Sequence, residues 1–200
     1  MQRGPVINSS PAAPGTGFAI QTGIYAKRKL SARTGVSMGL DFSAFTTKQR
    51  TGILINNAAV ISNSLFSSSV SNYYSTGTLA AHTSHYYYLE LPVSFHWQLN
   101  KGVKLPLLWK NGFSTGMLAG SNAMIYSPAS NVFYRDNHLL NKMQFSYETG
   151  ISVRLLNKTR HPFTIGAVYN YHFSRLQKVN TYGGDHLSSF GVQAGWIFKK

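Results

Sequence analysis

Large apolar side chains alternate with small or polar ones along most of this chain. The period of two sustains seven long strands, at about 16–26, 31–45, 85–99, 105–120, 143–155, 162–174 and 187–198, and no helical period competes over these spans. One register is almost wholly apolar or Thr. It runs through Phe18, Ile20, Thr22 and Ile24, then Leu89, Leu91, Val93, Phe95 and Trp97, and later Phe190, Val192, Ala194, Trp196 and Phe198. The fourth strand interrupts it once, with Asn111 among Leu107, Trp109, Phe113 and Met117. The other register is small or polar and holds the glycines, among them Gly23, Gly35, Gly39, Gly112, Gly116, Gly150, Gly166 and Gly191. Such a chain is all-β, and chance would have scattered its glycines over both faces.

A soluble sandwich or lipocalin also alternates, but its apolar face varies in size to fill a closed interior and its polar face is rich in Lys and Glu. Here the polar face is nearly all Gly, Ser, Gln and Tyr. The pattern therefore predicts an antiparallel up-and-down transmembrane β-barrel, with large apolar groups toward lipid and small or polar ones in a narrow lumen. The links agree, because they alternate in length: "KRKLS", then 46–84; "NKGVK", then 121–142; "LNKTRH", then 175–186. Short periplasmic turns and long extracellular loops are the habit of outer-membrane barrels.

Composition narrows the reading. The chain has 200 residues, enough for one domain, and only 12% of them are charged, against about 25% in an ordinary soluble domain. No apolar run approaches the roughly 20 residues of a membrane helix, and the start "MQRGPVINSSPAAPG" has no apolar core of a signal peptide. The absence of cysteine excludes disulfides and thiolate metal sites. A net charge of +14 raises the competing class of a soluble basic β protein that binds nucleic acid. The positions of the charges argue against a nucleic-acid partner, since Lys27, Arg28, Lys29, Lys101, Lys104, Lys158, Arg160, Lys199 and Lys200 collect at the short-turn rim. The tryptophans Trp97, Trp109 and Trp196 face outward near the same rim, as interfacial aromatics do.

Gly35-Val36-Ser37-Met38-Gly39 fits the G-x-S-x-G of a nucleophile elbow, but that serine needs a sharp strand-to-helix turn. The flanks alternate without a break, so Ser37 lies in a strand and no catalytic residue is assigned. His82 and His85 lack a third ligand, so neither a metal nor a cofactor is expected. His96 and His172 take the inward register. So do the acids Asp41, Glu90 and Glu148 and the cations Arg33, Lys110 and Arg154, a lumen charge cluster in which opposite charges are expected to pair and fill the interior.

The stretch "YYYLELPVSFHWQL", the G-x-x-x-G spacings at 35–39 and 112–120 and the terminal strand "FGVQAGWIFKK" resemble the porin-like outer-membrane β-barrel domain family of the Bacteroidetes type. The resemblance implies about eight strands, residence in the outer membrane of a Gram-negative cell envelope, a C-terminal strand read by the barrel-assembly machinery, and no catalytic residues. It implies a non-enzymatic structural, anchoring or transenvelope signalling element, with a small-solute channel or ligand-binding barrel as the alternative. Loop 46–84 is the candidate for contact with an extracellular partner. Because such barrels have an even number of strands, residues 1–15 are expected to be the remnant of an extracellular loop. The barrel domain then covers 16–200, and an eighth, ascending strand lies upstream of Met1.

Overall fold

The computed structural model describes residues 15–62, 67–101, 104–156, 159, 161–178 and 186–198. Among them the chain forms β1 (Ala19–Lys29), β2 (Thr34–Thr51), β3 (Leu54–Ile55), β4 (Ala59–Ser62), β5 (Ser67–Val70), β6 (Tyr73–Ser75), β7 (Ala80–Gln98), β8 (Leu107–Ser121), β9 (Ile125–Ser127), β10 (Val132–Tyr134), β11 (Met143–Leu155), β12 (Phe163–Arg175) and β13 (His186–Trp196). The seven long strands make one sheet in the order β1-β2-β7-β8-β11-β12-β13, with every neighbouring pair antiparallel.

The sheet curls strongly. Phe45 on β2 and His172 on β12 are separated by three strands in the sheet order, yet their ring centroids stand 5.0 Å apart. The concave face carries the small and polar register, with Ser37, Asp41, Glu90, Ser94 and Gln144 buried, while Met38, Leu91, Phe113 and Phe190 are exposed on the convex face. The curl does not close. Among the described residues β1 and β13 share no ladder, and the alternation of directions makes them run the same way, from the long-loop end to the short-turn end. The first described residue, Gly15, bridges Lys48 at the long-loop end.

Three boundaries differ from the sequence expectation. The β2–β7 ladder continues to Thr51–Ala80, well into the span read as loop 46–84. Its extension is polar on both registers, with Thr47, Gln49 and Thr51 buried on the concave side, so hydrophobic alternation could not reveal it. At the other end β1 takes in Lys27 and Lys29, and the turn is Leu30–Arg33 instead of "KRKLS". Ser31 shapes that turn by accepting from the backbone N–H groups of Arg33 and Thr34, each at 3.1 Å. Of the expected rim cations, Lys158, Arg160, Lys199 and Lys200 lie outside the described residues, as do residues 1–14 of the expected loop remnant.

The long connections fold together above the sheet. β3, β6, β10 and β9 form a small second sheet and β4 pairs with β5. The β9–β10 hairpin turns back through Asn131, whose positive φ of 53° suits asparagine. Ile61, Ile125, Tyr134, Leu139 and Leu140 from these connections pack with Phe45, Tyr86 and Tyr88 of the long strands and with Leu176 and Leu187. Burying each large apolar side chain is worth about 1.5–3 kcal/mol, which is why these polar-looking loops hold a defined shape.

Candidate functional site

The interior of the curl is the place where chemistry concentrates. Asp41 on β2 and Glu90 on β7 are direct cross-strand partners, both buried and both on the concave face. Like charges placed so are destabilising, and the side chains answer by leaning apart. Asp41 turns over Gly23, its partner on β1, where an added Cβ would collide with Asp41 Oδ1. Glu90 turns over Gly116, its partner on β8, where an added Cβ would stand 2.9 Å from Glu90 Cγ. Glycine at these two positions makes room for a carboxylate.

Their hydrogen bonds follow the same division. The Tyr25 hydroxyl donates to Asp41 Oδ2 at 2.6 Å and Gln21 Nε2 donates to the same oxygen at 2.7 Å. Glu90 Oε2 accepts from Ser114 Oγ at 3.1 Å. One oxygen of each carboxylate, Asp41 Oδ1 and Glu90 Oε1, is buried without a hydrogen-bond partner.

Glu148 is the acid that finds a cation. It forms an ion pair with Lys110, and the Lys110 ammonium also stands 5.2 Å from the centroid of the Tyr25 ring, within cation–π range. Of the expected pairings between inward charges, Lys110–Glu148 is the one formed among the described residues. Asp41 and Glu90 are held by hydroxyl and amide donors, and Arg33 lines the cavity from the turn before β2. Tyr25, Gln21 and Ser114 had no individual signal in the sequence beyond lying in the polar register.

Nearer the short turns the charge changes sign. Ser37 Oγ and His96 Nε2 lie 2.7 Å apart, and Lys27, Lys110 and Arg154 line the same cavity. A serine hydrolase orients its imidazole with a carboxylate instead. Ser37 sits mid-strand, paired with Lys27 on one side and Ser94 on the other, as the alternation around it predicted. His82 approaches the carbonyl of Asn122 at 3.3 Å and His85 stacks on Tyr87; among the described residues no three His, Cys, Asp or Glu side chains converge on a metal position.

On the convex face the tryptophans gather at the short-turn end. Trp97 and Trp109 are cross-strand partners with centroids 6.3 Å apart, and Trp196 packs on Phe163 at 5.2 Å. The polar interruption of that face is satisfied locally: Asn111 Oδ1 accepts from the Tyr147 hydroxyl at 2.6 Å and from Thr149 Oγ1 at 2.9 Å.

At the long-loop end rings join the buried polar side chains of the interior. Phe45, Tyr88 and His172 meet across it, and the packed connections cover them. Beside them an open cavity of about 2240 Å³ runs from Thr47 and His186 at the long-loop end to the short turns and is flanked by the free edges β1 and β13. Comparison of the chain with family models, with curated proteins and with solved structures finds no match.

Proposed function

We propose that this chain is a non-enzymatic β-barrel element of the outer membrane, serving as a structural, anchoring or transenvelope signalling part of the cell envelope. One observation carries the reading: large apolar side chains are exposed along the convex face of all seven long strands, from Ile24 on β1 to Val192 on β13, while the acids are withdrawn into the concave face. Exposed apolar surface on that scale needs a cover, and lipid is the cover that suits a band rimmed by tryptophan. A strand crosses the bilayer with about 9–11 tilted residues, and β7 has 19, so its upper part and the packed connections stand outside.

The proposal includes closure. Unpaired strand edges are costly in lipid, and β1 and β13 run in the same direction. One ascending strand antiparallel to both would satisfy the two edges and give an even number. The barrel-assembly machinery would insert the completed barrel. The ring cluster of Phe45, Tyr88 and His172, which occupies part of the interior, favours a structural barrel over a small-solute channel, and the packed connections are the surface an extracellular partner would meet.

The test is fractionation after expression in a Gram-negative host. The chain is expected in outer membranes after an alkaline carbonate wash, released only by detergent, and with heat-dependent mobility in gels. Recovery from the soluble fraction without detergent would refute the reading.

A further inference from the structure

The opening in the curl is one strand wide. On its paired side β2 and β12 are separated by β7, β8 and β11, yet Phe45 and His172 on those two strands meet at 5.0 Å across the interior. On the open side only β1 and β13 stand between them, so one further strand gives three on each side. A second copy in the same membrane orientation cannot supply it. Its free edges run parallel to the edges they would join, whereas every ladder of this sheet is antiparallel. The sequence of residues 1–14 carries Pro5, Pro11 and Pro14, which lack the N–H that a ladder needs. The occupant is a segment of another kind, and the inner surfaces of the two edges show its chemistry. Gly23, Gly39, Gly112 and Gly116 each lie under a side chain of the neighbouring strand, Asp41, Tyr25, Ser94 and Glu90 respectively. Gly191 on β13 takes the same register but has nothing within 4 Å. On β1, Gln21 and Tyr25 flank Gly23 and both donate to Asp41 Oδ2. Asp41 Oδ1, which lies over Gly23, is buried without a partner, and Asp41 forms no ion pair among the described residues.

We infer that the gap between β1 and β13 is the docking site of one extended, basic segment whose inner face carries a lysine or arginine opposite Gly23, donating to Asp41 Oδ1, and a large side chain over Gly191. Pairing sets the inward register, because the residue opposite Gly23 on the added strand points to the same face as Asp41. Charge complementarity sets the sign. A buried carboxylate oxygen gains most from a cationic donor, and another acid there would restore the like-charge contact that Asp41 and Glu90 avoid by leaning apart. The outward register is apolar, since Ile24 and Val192 on the flanking strands expose apolar side chains on that face. The inference rests on the barrel reading, to which it adds the chemistry of the strand that completes the wall.

The experiment uses the full chain folded in maltoside micelles, with heat-dependent gel mobility confirming the fold first. Failure to fold in micelles or to enter membranes counts against the barrel; the peptide results count only against the docking site. The probes are three dye-labelled peptides of about 9–11 residues, the length that crosses a bilayer as a strand. Each alternates Val with Thr and carries Arg, Gln or Glu in place of its central Thr. Fluorescence anisotropy should show saturable binding of the Arg peptide, about tenfold or more tighter than the Glu peptide, as a charge-assisted hydrogen bond provides. Asp41→Asn should remove the preference for Arg over Gln, and Asp136→Asn, at the cap of a short helical turn in the connections, should leave it unchanged. Gly191→Leu fills the empty position on β13, so it should weaken the Arg peptide by about tenfold while the chain's own unfolding midpoint stays where it was. No saturable binding of the Arg peptide to the folded chain, equal affinity for the Arg and Glu peptides, or an Arg preference that survives Asp41→Asn would overturn the inference.

Discussion

Asp41 and Glu90 face one another across the β2–β7 ladder, and each carboxylate lies over a glycine of the strand on its far side, Gly23 for Asp41 and Gly116 for Glu90. Two acids can thus occupy adjacent positions on the concave face because the small residues of the next strands let them diverge. Glycine here serves the neighbour's side chain, not an unusual backbone angle.

Replacing either glycine tests that relationship. Gly23→Ala and Gly116→Ala should each lower the stability of the detergent-folded protein by about 1–3 kcal/mol, the usual range for overpacking. The free edge supplies a control: an added Cβ at Gly191 meets nothing within 4 Å, so Gly191→Ala should lie within about 0.5 kcal/mol of the parent. Urea unfolding of the three variants gives the comparison. Equal effects at Gly116 and Gly191 would remove the argument.

The Lys110–Glu148 pair is partly buried on both sides, with side-chain exposures of 12% and 13%. Removing one partner leaves a charge in a confined interior, at a cost of about 3–5 kcal/mol where burial is complete and less here. Lys110→Met and Glu148→Gln should each destabilise, and the double variant should recover part of the loss. A double-mutant cycle is expected to show a coupling of about 0.5–3 kcal/mol. Strict additivity would show that the pair contributes nothing specific.

Much of this was legible in the sequence, and the limits have a physical cause. Which face of each strand turns inward needs only the period of two, so Asp41, Glu90 and Glu148 are placed correctly on the concave side by alternation alone. Which residues meet depends on register between strands, and register is not written in any one strand. On the β7–β8 ladder Glu90 falls opposite Gly116 while Lys110 falls opposite His96, so the lysine lies too far down to serve Glu90 and goes to Glu148. Tyr25 reaches Asp41 by the same stagger. The cap over the long-loop end was illegible because its strands run to only two to four residues. Little periodic pattern survives at that length. The alternating apolar residues within 46–84 were a local signal of a hairpin there, where β4 pairs with β5, and the Pro-Ala-Ser-Asn turn of "IYSPASNVFY" is another.

The outward orientation of the apolar register has a direct test in two adjacent residues of β7. Val93 is 49% exposed on the convex face, and Ser94 is 3% exposed on the concave face. If lipid covers the convex face, Val93→Arg places a charge in hydrocarbon at a cost of about 2–4 kcal/mol near the midplane. It should then reduce the amount of heat-modifiable protein in the outer membrane. Ser94→Arg should act only through crowding against Gly112, its partner on β8. Membrane yields of the two variants decide the matter, and equal tolerance would refute the orientation.

The last expectation concerns conduction. Phe45 from β2, Tyr88 from β7 and His172 from β12 meet in the interior, with Phe45 edge-on to His172 at 5.0 Å and to Tyr88 at 6.0 Å. Behind them Leu139, Leu140, Leu176 and Leu187 continue the seal, all buried. The side chains that form this cluster come from strands on opposite sides of the curl, so once the edges β1 and β13 are closed as proposed no single rotamer change opens a path through it. Protein reconstituted in planar bilayers should therefore show no discrete conductance steps. Phe45→Ala with Tyr88→Ala removes the two rings that bridge the interior and should admit small ions, at a cost of about 3–5 kcal/mol for each aromatic lost. Conductance by the unaltered chain at the level of the double variant would show that the cluster is no barrier and would return the channel reading to first place.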